Sequence, residues 1–272
     1  MALIGVKCDD IGAYADEFSF EECIACSLAG GPRKCHAPTA LLVAMAQAQH
    51  DRKDAGISAT MLLDCPRKVA LQTTEDWYEH PADFWSRFRG TLAHMALEHY
   101  AVDAEHLVNE VRRRKVYEVD GVEIAITGKP DHVDVSRGLI LDFKTCQSVG
   151  AKPVGAGKPK DGHEAQVNIY ADLCDGGANM TTGEFETIEV TRGGIVYLDM
   201  KSYRKVPVNI WPAEQRRAFI VERLRPIADF RRTGVLPGLL YDTERPTMRS
   251  WKCASKWCAL REHCDLAASR GE

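Results

Sequence analysis

The spacing of hydrophobic and polar positions changes several times along the chain, and each change predicts an element. Residues 37–51 have helical spacing, as does the segment that starts at Ser58, a suitable N-cap residue. Residues 83–108 predict one long helix, which Gly90 interrupts. The pattern then alternates over residues 115–135, with an Asp-Gly turn that predicts a β-hairpin.

The second half of the chain continues with both kinds of pattern. The predicted elements are a strand at 139–145 (LILDFKT), a Gly/Pro/Lys loop at 150–163, a helix at 164–175, a strand pair around Gly193-Gly194 within 187–200, and a long helix at 212–233. This succession of helices and strands predicts a mixed α/β core.

The composition is that of an ordinary soluble protein. Of 272 residues, 45% are hydrophobic and 27% are charged, and no apolar run is long enough to span a membrane. The N-terminal residues carry acids where a signal peptide needs an apolar core, so we expect a cytoplasmic protein with no membrane partner. The formal net charge of −4 means that a site for a polyanion would have to be a local patch.

The stretch GKPDHVDVSRGLILDFKT, residues 128–145, contains two carboxylates and a lysine in a suggestive arrangement. If Asp131 and Asp142 lie on adjacent antiparallel strands, their side chains are about 5 Å apart, close enough to hold one hard cation. The Phe143 carbonyl offers a further oxygen, and Lys144 points to the same side as Asp142. A surface hairpin with cross-strand charge pairs explains these three side chains taken alone. The apolar run up to Asp142 favours a buried strand, where an unpaired charge is expensive.

This stretch resembles the G-x-x-D…D-x-K-T core of the PD-(D/E)XK nuclease superfamily, in its RecB-like branch. GTLAHMALEHY at 90–100 is similar to the branch's G-x3-H-x3-E helix, and QVNIY at 166–170 is similar to its Q-x3-Y helix. The resemblance implies a restriction-endonuclease-like fold, with a mixed central sheet flanked by helices. It also implies that Asp131, Asp142 and His94 bind Mg²⁺ or Mn²⁺, that Lys144 assists the attack of water, and that Gln166 and Tyr170 orient the site or the DNA. Salt bridges along the helices explain Glu98 and Glu164 as well as a role in the site does.

The implied activity is metal-dependent hydrolysis of DNA, by an exonuclease acting on single strands or frayed ends in recombination, phage replication or CRISPR adaptation. The expected partners are DNA and a protein of such a complex. We hypothesise that Lys152, Lys158 and Lys160 follow the DNA backbone, although a merely flexible loop explains them as well. A catalytically silent DNA-binding adaptor of the same fold and a zinc-rich interaction protein are the alternatives.

Ten cysteines in a reducing compartment indicate metal ligands rather than disulfides. Cys253, Cys258 and Cys264 lie close together in WKCASKWCALREHC, and Cys65 in LLDCPRKVAL is the candidate fourth ligand. The iron–sulfur members of the resembled branch place a [4Fe–4S] cluster on such a set, although their first interval is shorter than the C-x4-C found here. Zinc at the same thiols, or buried cysteines without metal, are the alternatives.

A second group of cysteines, near the N-terminus, reads C-x2-C-x8-C-H and predicts a zinc module. The spacing is carried by Cys23, Cys26 and Cys35. Adjacent residues reach one ion poorly, so Cys8 is favoured over His36 as the fourth ligand. We therefore expect a cysteine-rich module over residues 1–50 and a nuclease domain, closed by the cluster, over 51–272.

Overall fold

The structure is a computed structural model, and it describes residues 2–8, 16–30, 37–47, 56–100, 104–160, 162–239 and 258–269. In chain order the strands are β1 (Leu3–Cys8), β2 (Asp16–Ser19), β3 (Ile57–Ser58), β4 (Trp77–Glu79), β5 (Leu107–Asn109), β6 (Arg113–Val119), β7 (Val122–Gly128), β8 (His132–Asp134), β9 (Leu139–Thr145), β10 (Asp175–Asn179), β11 (Phe185–Thr187), β12 (Arg192–Leu198) and β13 (Tyr203–Val208). The helices are α1 (Phe20–Leu28), α2 (Thr39–Gln47), α3 (Ala59–Leu62), α4 (Pro66–Thr74), α5 (Pro81–His99), α6 (His163–Cys174), α7 (Ala213–Thr233) and α8 (Arg261–Ser269).

The described residues form two compact units. Unit 1 takes those within 1–55, 65–88 and 233–272, and unit 2 takes 56–64 and 89–232. Unit 1 therefore combines the N-terminal segment with residues from both ends of the expected nuclease domain. The zinc module expected over residues 1–50 stays a prediction.

Unit 1 is built on a three-stranded mixed sheet with the order β2-β1-β4. Ser19 begins α1 with a capping box, since its hydroxyl accepts from the Glu22 backbone N–H while the Glu22 carboxylate accepts from the Ser19 N–H. The apolar core of this unit contains Val6, Phe20, Leu42, Met45, Leu71, Trp77, Phe84 and Leu260. Helices α4 and α8 pack against each other in the same unit.

Unit 2 contains two five-stranded mixed sheets, β11-β10-β6-β7-β3 and β13-β12-β9-β8-β5. The predicted hairpin is confirmed: β6 and β7 pair from Arg113 opposite Gly128 to Val119 opposite Val122. Asp120 and Gly121 both have positive φ, of 51° and 81°, as a two-residue hairpin loop requires. The strand predicted over 139–145 is confirmed as β9, at the centre of its sheet.

The expectation of one central sheet is wrong in detail, because the described strands of unit 2 divide between two sheets. β7 ends at Gly128, and β8, which follows it, pairs with β9 rather than with β7. Lys129 and Pro130 separate the two strands, and a proline has no N–H to donate to a strand ladder.

The helix predicted from Ser58 is divided into two. The Ser58 hydroxyl accepts from the Met61 N–H and so begins α3, which ends at Leu62. Pro66 at the first position of α4 holds Cys65 in an extended conformation, with φ −63° and ψ 122°. The proline therefore ends one helix and begins the next.

The helix predicted over 83–108 is wrong beyond His99, where α5 ends, although Gly90 does not interrupt it. Leu107–Asn109 forms β5 instead, since pairing with β8 supplies its hydrogen bonds. The turn predicted at Gly193-Gly194 is also wrong. Both glycines lie inside β12, where a Cβ on Gly193 would lie 2.8 Å from Ile210 Cδ1 and 3.1 Å from Val167 Cγ1 of α6. The missing side chain of Gly193 allows α6 to approach the sheet.

The helices predicted over 164–175 and 212–233 are confirmed as α6 and α7. Residues Gln166–Cys174 of α6 are all buried, which makes α6 the central helix of unit 2. None of the helices in the described ranges is long and apolar enough to cross a membrane.

A buried guanidinium links β6 to β11. Arg113 is fully enclosed, and its Nη2 donates to Glu186 Oε2 over 2.7 Å, while Nε and Nη1 lack partners among the described residues. This hydrogen bond holds the pKa of Glu186 below its usual value, against the opposing effect of burial.

We expect Glu186→Gln to lower the stability of unit 2, because Arg113 loses its counter-charge. Pairs of this kind are worth about 3–5 kcal/mol when fully buried, and the exposure of Glu186 reduces the expected loss to roughly 2 kcal/mol. Since the folded-state pKa of Glu186 is lowered, its contribution is complete above the ordinary pKa of glutamate and is lost as the pH falls through the lowered value. Chemical unfolding at neutral and acidic pH measures this. The exposed Glu184→Gln is the matched control, and equal stability of the two variants at neutral pH would contradict the expectation.

Candidate metal centre

The pairing of β8 with β9 brings Asp131 and Asp142 together. His132 lies opposite Leu141, so Asp131, directly before β8, takes the position opposite Asp142. The Phe143 N–H donates to Asp131 Oδ2 over 2.5 Å. Both residues are buried, since only 8% of the surface of Asp131 and 1% of that of Asp142 is exposed. This is the juxtaposition that the spacing in the sequence predicted, and the ligand role of the Phe143 carbonyl stays a prediction.

Lys144 is the nearest cation to the more deeply buried of the two carboxylates. Its Nζ lies 3.1 Å from both oxygens of Asp142 and donates a hydrogen bond to Oδ1. Among the described residues Oδ2 accepts no well-oriented hydrogen bond. Burial raises the pKa of Asp142 to about 6, helped by Asp131 and opposed by Lys144. A buried oxygen with spare capacity beside a second carboxylate is suited to a metal cation.

Helix α5 contributes a histidine to this cluster. His94 Nδ1 lies 3.0 Å from Asp131 Oδ1, and this bond raises the pKa of His94 despite partial burial. The same nitrogen lies 3.6 Å from Glu110 Oε1. One ligand atom each from His94, Glu110 and Asp131 lies within 4.8 Å of the others. Two carboxylates and an imidazole form a donor set that Mg²⁺ or Mn²⁺ accepts.

Glu110 is the member of this cluster that the sequence did not reveal. It follows β5 with φ of 55°, an uncommon conformation for any residue but glycine, and its N–H donates to the Pro130 carbonyl. Lys129 Nζ lies 2.6 Å from its Oε2 and 3.8 Å from Glu98 Oε2. No motif identifies Glu110, because β5 and the backbone bond that position it are products of the fold.

Gln166 and Tyr170 lie one turn apart on helix α6. Gln166 Nε2 donates to the Tyr170 hydroxyl over 2.8 Å and lies 3.4 Å from the Thr60 hydroxyl. Burial raises the pKa of Tyr170, and the charges of Asp142 and Asp131 add to this effect. A Cβ on Gly128 would lie 2.8 Å from the Tyr170 ring, so the glycine of G-x-x-D lets the tyrosine approach the strand. The orienting roles of Gln166 and Tyr170 remain predictions.

The three lysines of the 150–163 loop differ in how they are held. Lys152 and Lys158 are exposed, whereas Lys160 is partly buried and its N–H donates to the Tyr197 hydroxyl over 2.8 Å. Arg204 Nη1 donates to the Gly155 carbonyl over 2.6 Å, which fastens the loop to β13. Their predicted contact with DNA remains a prediction.

The cysteines predicted as iron–sulfur ligands lie in unit 1. Cys65 is the N-cap of α4, Cys264 lies on α8, and Cys258 precedes α8. Both Cys258 and Cys264 pack against the apolar core of the unit. The fourth predicted ligand, Cys253, lies outside the described residues.

The cysteines predicted as zinc ligands are also in unit 1. Cys8 ends β1, and Cys23 and Cys26 lie one turn apart on α1. The predicted C-x2-C pair therefore lies within a helix. The remaining candidates, Cys35 and His36, lie outside the described residues.

A family model of the PD-(D/E)XK nuclease superfamily matches residues 108–265, which contain Asp131, Asp142 and Lys144. The chain belongs to this superfamily. The match begins after α5, so it does not include His94. The crystal structure of SSO0001 is similar in fold, with a TM-score of 0.51 and 20% identity over 80% of this chain and 89% of that chain. No curated protein matches the sequence significantly.

We expect Glu110→Gln to weaken Mn²⁺ binding by about tenfold, because it removes a charged oxygen from the cluster while keeping its shape. Isothermal titration calorimetry of the folded variant with Mn²⁺ measures this. Glu98→Gln is the matched control, because Glu98 also pairs with Lys129 but at the longer distance of 3.8 Å. We expect this variant to change the Mn²⁺ affinity by less than about twofold. Equal losses in both variants would show that Glu110 acts only through net charge.

Proposed function

We propose that this protein is a metal-dependent DNA nuclease, active on single-stranded or frayed DNA ends. The observation that carries the proposal is that Asp131, Asp142 and Lys144 lie together at the central strand β9 and its neighbour β8. The chain also belongs to a nuclease superfamily. His94 and Glu110 complete the cluster on one side. A carboxylate buried as deeply as Asp142 is costly to the fold, and a catalytic use accounts for that cost.

The metal would be held by Asp131, Asp142 and His94, with Glu110 as a further carboxylate ligand. When bound there, Mg²⁺ or Mn²⁺ supplies a Lewis acid that activates water and offsets charge on the phosphate. Lys144 would have two roles, because its ammonium neutralises Asp142 and has further N–H groups to donate to water or to a phosphate oxygen. Asp131 accepts from the Phe143 N–H, which fixes the orientation of its other oxygen toward His94.

The preference for DNA ends is an inference from charge and surface. With a net charge of −4, the protein would bind DNA through a local patch rather than over its whole surface. In the ranges that the structure describes, we identify no helix or ribbon that presents a set of base-reading side chains. An exonuclease of recombination, phage replication or CRISPR adaptation, working with a protein partner, fits such a surface better than a sequence-specific endonuclease.

The test is cleavage of end-labelled single-stranded and duplex DNA by anaerobically purified protein in Mg²⁺ or Mn²⁺. We expect Asp142→Asn and Lys144→Ala to lose at least about 100-fold in rate, because each removes a group that acts on the phosphate. Glu222→Gln, on the exposed face of α7, is the control for an unrelated carboxylate. The labelled end that shortens first gives the polarity.

Two outcomes would contradict the nuclease proposal. One is the absence of cleavage by folded wild type with Mn²⁺ bound. The other is cleavage that continues unchanged in both site variants. Absence of cleavage combined with retained DNA binding would favour a catalytically silent adaptor, whereas unchanged cleavage would assign the activity to another site or another protein.

We also propose that Cys65, Cys253, Cys258 and Cys264 hold a [4Fe–4S] cluster. The support is that α4, which Cys65 caps, packs against α8, which carries Cys264, within one unit. Four thiols suit such a cluster, and its ligands would join segments almost 200 residues apart in sequence. Zinc on Cys8, Cys23, Cys26 and Cys35 is the corresponding proposal for the N-terminal thiols.

We expect Cys65→Ser to abolish the broad visible absorption of the anaerobically purified protein and to lower its iron and sulfide content, since one of four ligands is lost. Cys146→Ser, a partly buried cysteine of unit 2, should leave both unchanged. Metal analysis that finds zinc in place of iron in wild type would contradict the cluster and support the zinc alternative.

A further inference from the structure

His163 lies at the start of α6 and is held by a tyrosine on the neighbouring sheet. Its Nδ1 is 2.9 Å from the Tyr197 hydroxyl, and the two rings stack with centroids 5.6 Å apart. Tyr197 lies on β12 directly beside Lys144 of β9 in the parallel register. Side chains at paired positions of adjacent strands point to the same face, so Tyr197 carries His163 toward the metal centre.

The hydrogen bonds around Tyr197 favour one tautomer of the neutral His163 ring. The Lys160 N–H donates to the Tyr197 oxygen, so the hydroxyl hydrogen is available to Nδ1 of His163. In the neutral ring the hydrogen then resides on Nε2. Burial, together with the charges of Lys144 and Lys160, lowers the pKa of His163 to about 4, so the ring is neutral at physiological pH.

The Nε2–H of His163 has no role within the described part of the chain. Nε2 makes no hydrogen bond to the described residues, and the atom is not fully buried, so it is accessible to solvent. A histidine that served only to fill the core would have both nitrogens enclosed or paired. Lys160 adds a positive charge at this point, with its Nζ 6.0 Å from the centroid of the Tyr197 ring.

We propose that His163 contacts DNA, with its Nε2–H donating to a phosphate oxygen next to the scissile phosphodiester and the Lys160 ammonium balancing the phosphate charge. Tyr197 is a positioning residue, whose hydroxyl orients the His163 ring. The proposal rests on the proposed function, because the phosphate that His163 contacts belongs to the DNA strand that the nuclease would cleave. A neutral donor suits a place where Lys144 and Lys160 already supply the positive charge.

The experiment measures binding of single-stranded oligonucleotides by fluorescence anisotropy in Ca²⁺, used in place of Mn²⁺ to prevent cleavage. Each oligonucleotide carries one uncharged methylphosphonate linkage, moved stepwise along the strand. We expect His163→Ala to weaken binding of the unmodified strand by about tenfold, since it loses one hydrogen bond to a charged group. At one linkage the methylphosphonate should weaken wild type by a larger factor than His163→Ala, in which only the interaction with the Lys160 charge remains to be lost.

Further variants separate contact from folding. His163→Gln retains an N–H donor and should recover part of the affinity. Tyr197→Phe should weaken binding in wild type but have no effect in the His163→Ala background, because it acts through His163. The exposed His106→Ala and Tyr203→Phe are the matched controls, and thermal unfolding must give the same midpoint for each variant that is compared.

Wild-type affinity in both His163→Ala and His163→Gln would overturn the contact. So would a loss in His163→Ala that is the same whichever linkage is modified. If wild type binds DNA but does not cleave it, the nuclease function fails while the binding measurements still decide the contact. If wild type cleaves DNA and the His163 variants bind normally, only the contact fails. A wild type that binds no DNA contradicts both.

Discussion

The position of β9 at the centre of its sheet is the constraint on which the candidate centre depends. Its antiparallel partner, β8, places Asp131 opposite Asp142, and its parallel partner, β12, places Tyr197 beside Lys144. A shift of either pairing by one residue would turn these side chains to the opposite face. Gly193 of β12 lets α6 pack close to this sheet, and α6 carries Gln166, Tyr170 and His163.

The charges around β9 are balanced in a way that leaves room for a cation. Three carboxylates, on Asp131, Asp142 and Glu110, are neutralised by Lys144 and Lys129, with His94 as the third basic group. Burial raises the pKa of Asp142 and Asp131 adds to this effect, which shows that Lys144 only partly offsets the cost of burying this charge. A divalent ion would satisfy the oxygen that Lys144 leaves without a well-oriented hydrogen bond, which is why the arrangement suits metal chemistry better than a structural ion pair.

Local patterns in the sequence predicted much of this structure, whereas contacts between distant segments did not follow from them. The Asp-Gly turn, the strand of Asp142 and the helix of Gln166 each depend on a few neighbouring residues. Glu110 could not be predicted, because β5 forms only through its pairing with β8. The division into two sheets and the straight passage of β12 through Gly193 likewise depend on tertiary packing, which overrides local turn signals.

The most direct test of this account is a crystal structure of the protein grown with Mn²⁺ and measured at the manganese absorption edge. If Asp131 and Asp142 hold the ion, an anomalous difference peak lies between them, with a carboxylate oxygen of each within about 2.5 Å of the ion. His94 and Glu110 should contribute ligand atoms to the same ion. Crystals soaked above the measured dissociation constant that show no peak there, or a peak only elsewhere in the molecule, would contradict the assignment of the metal centre.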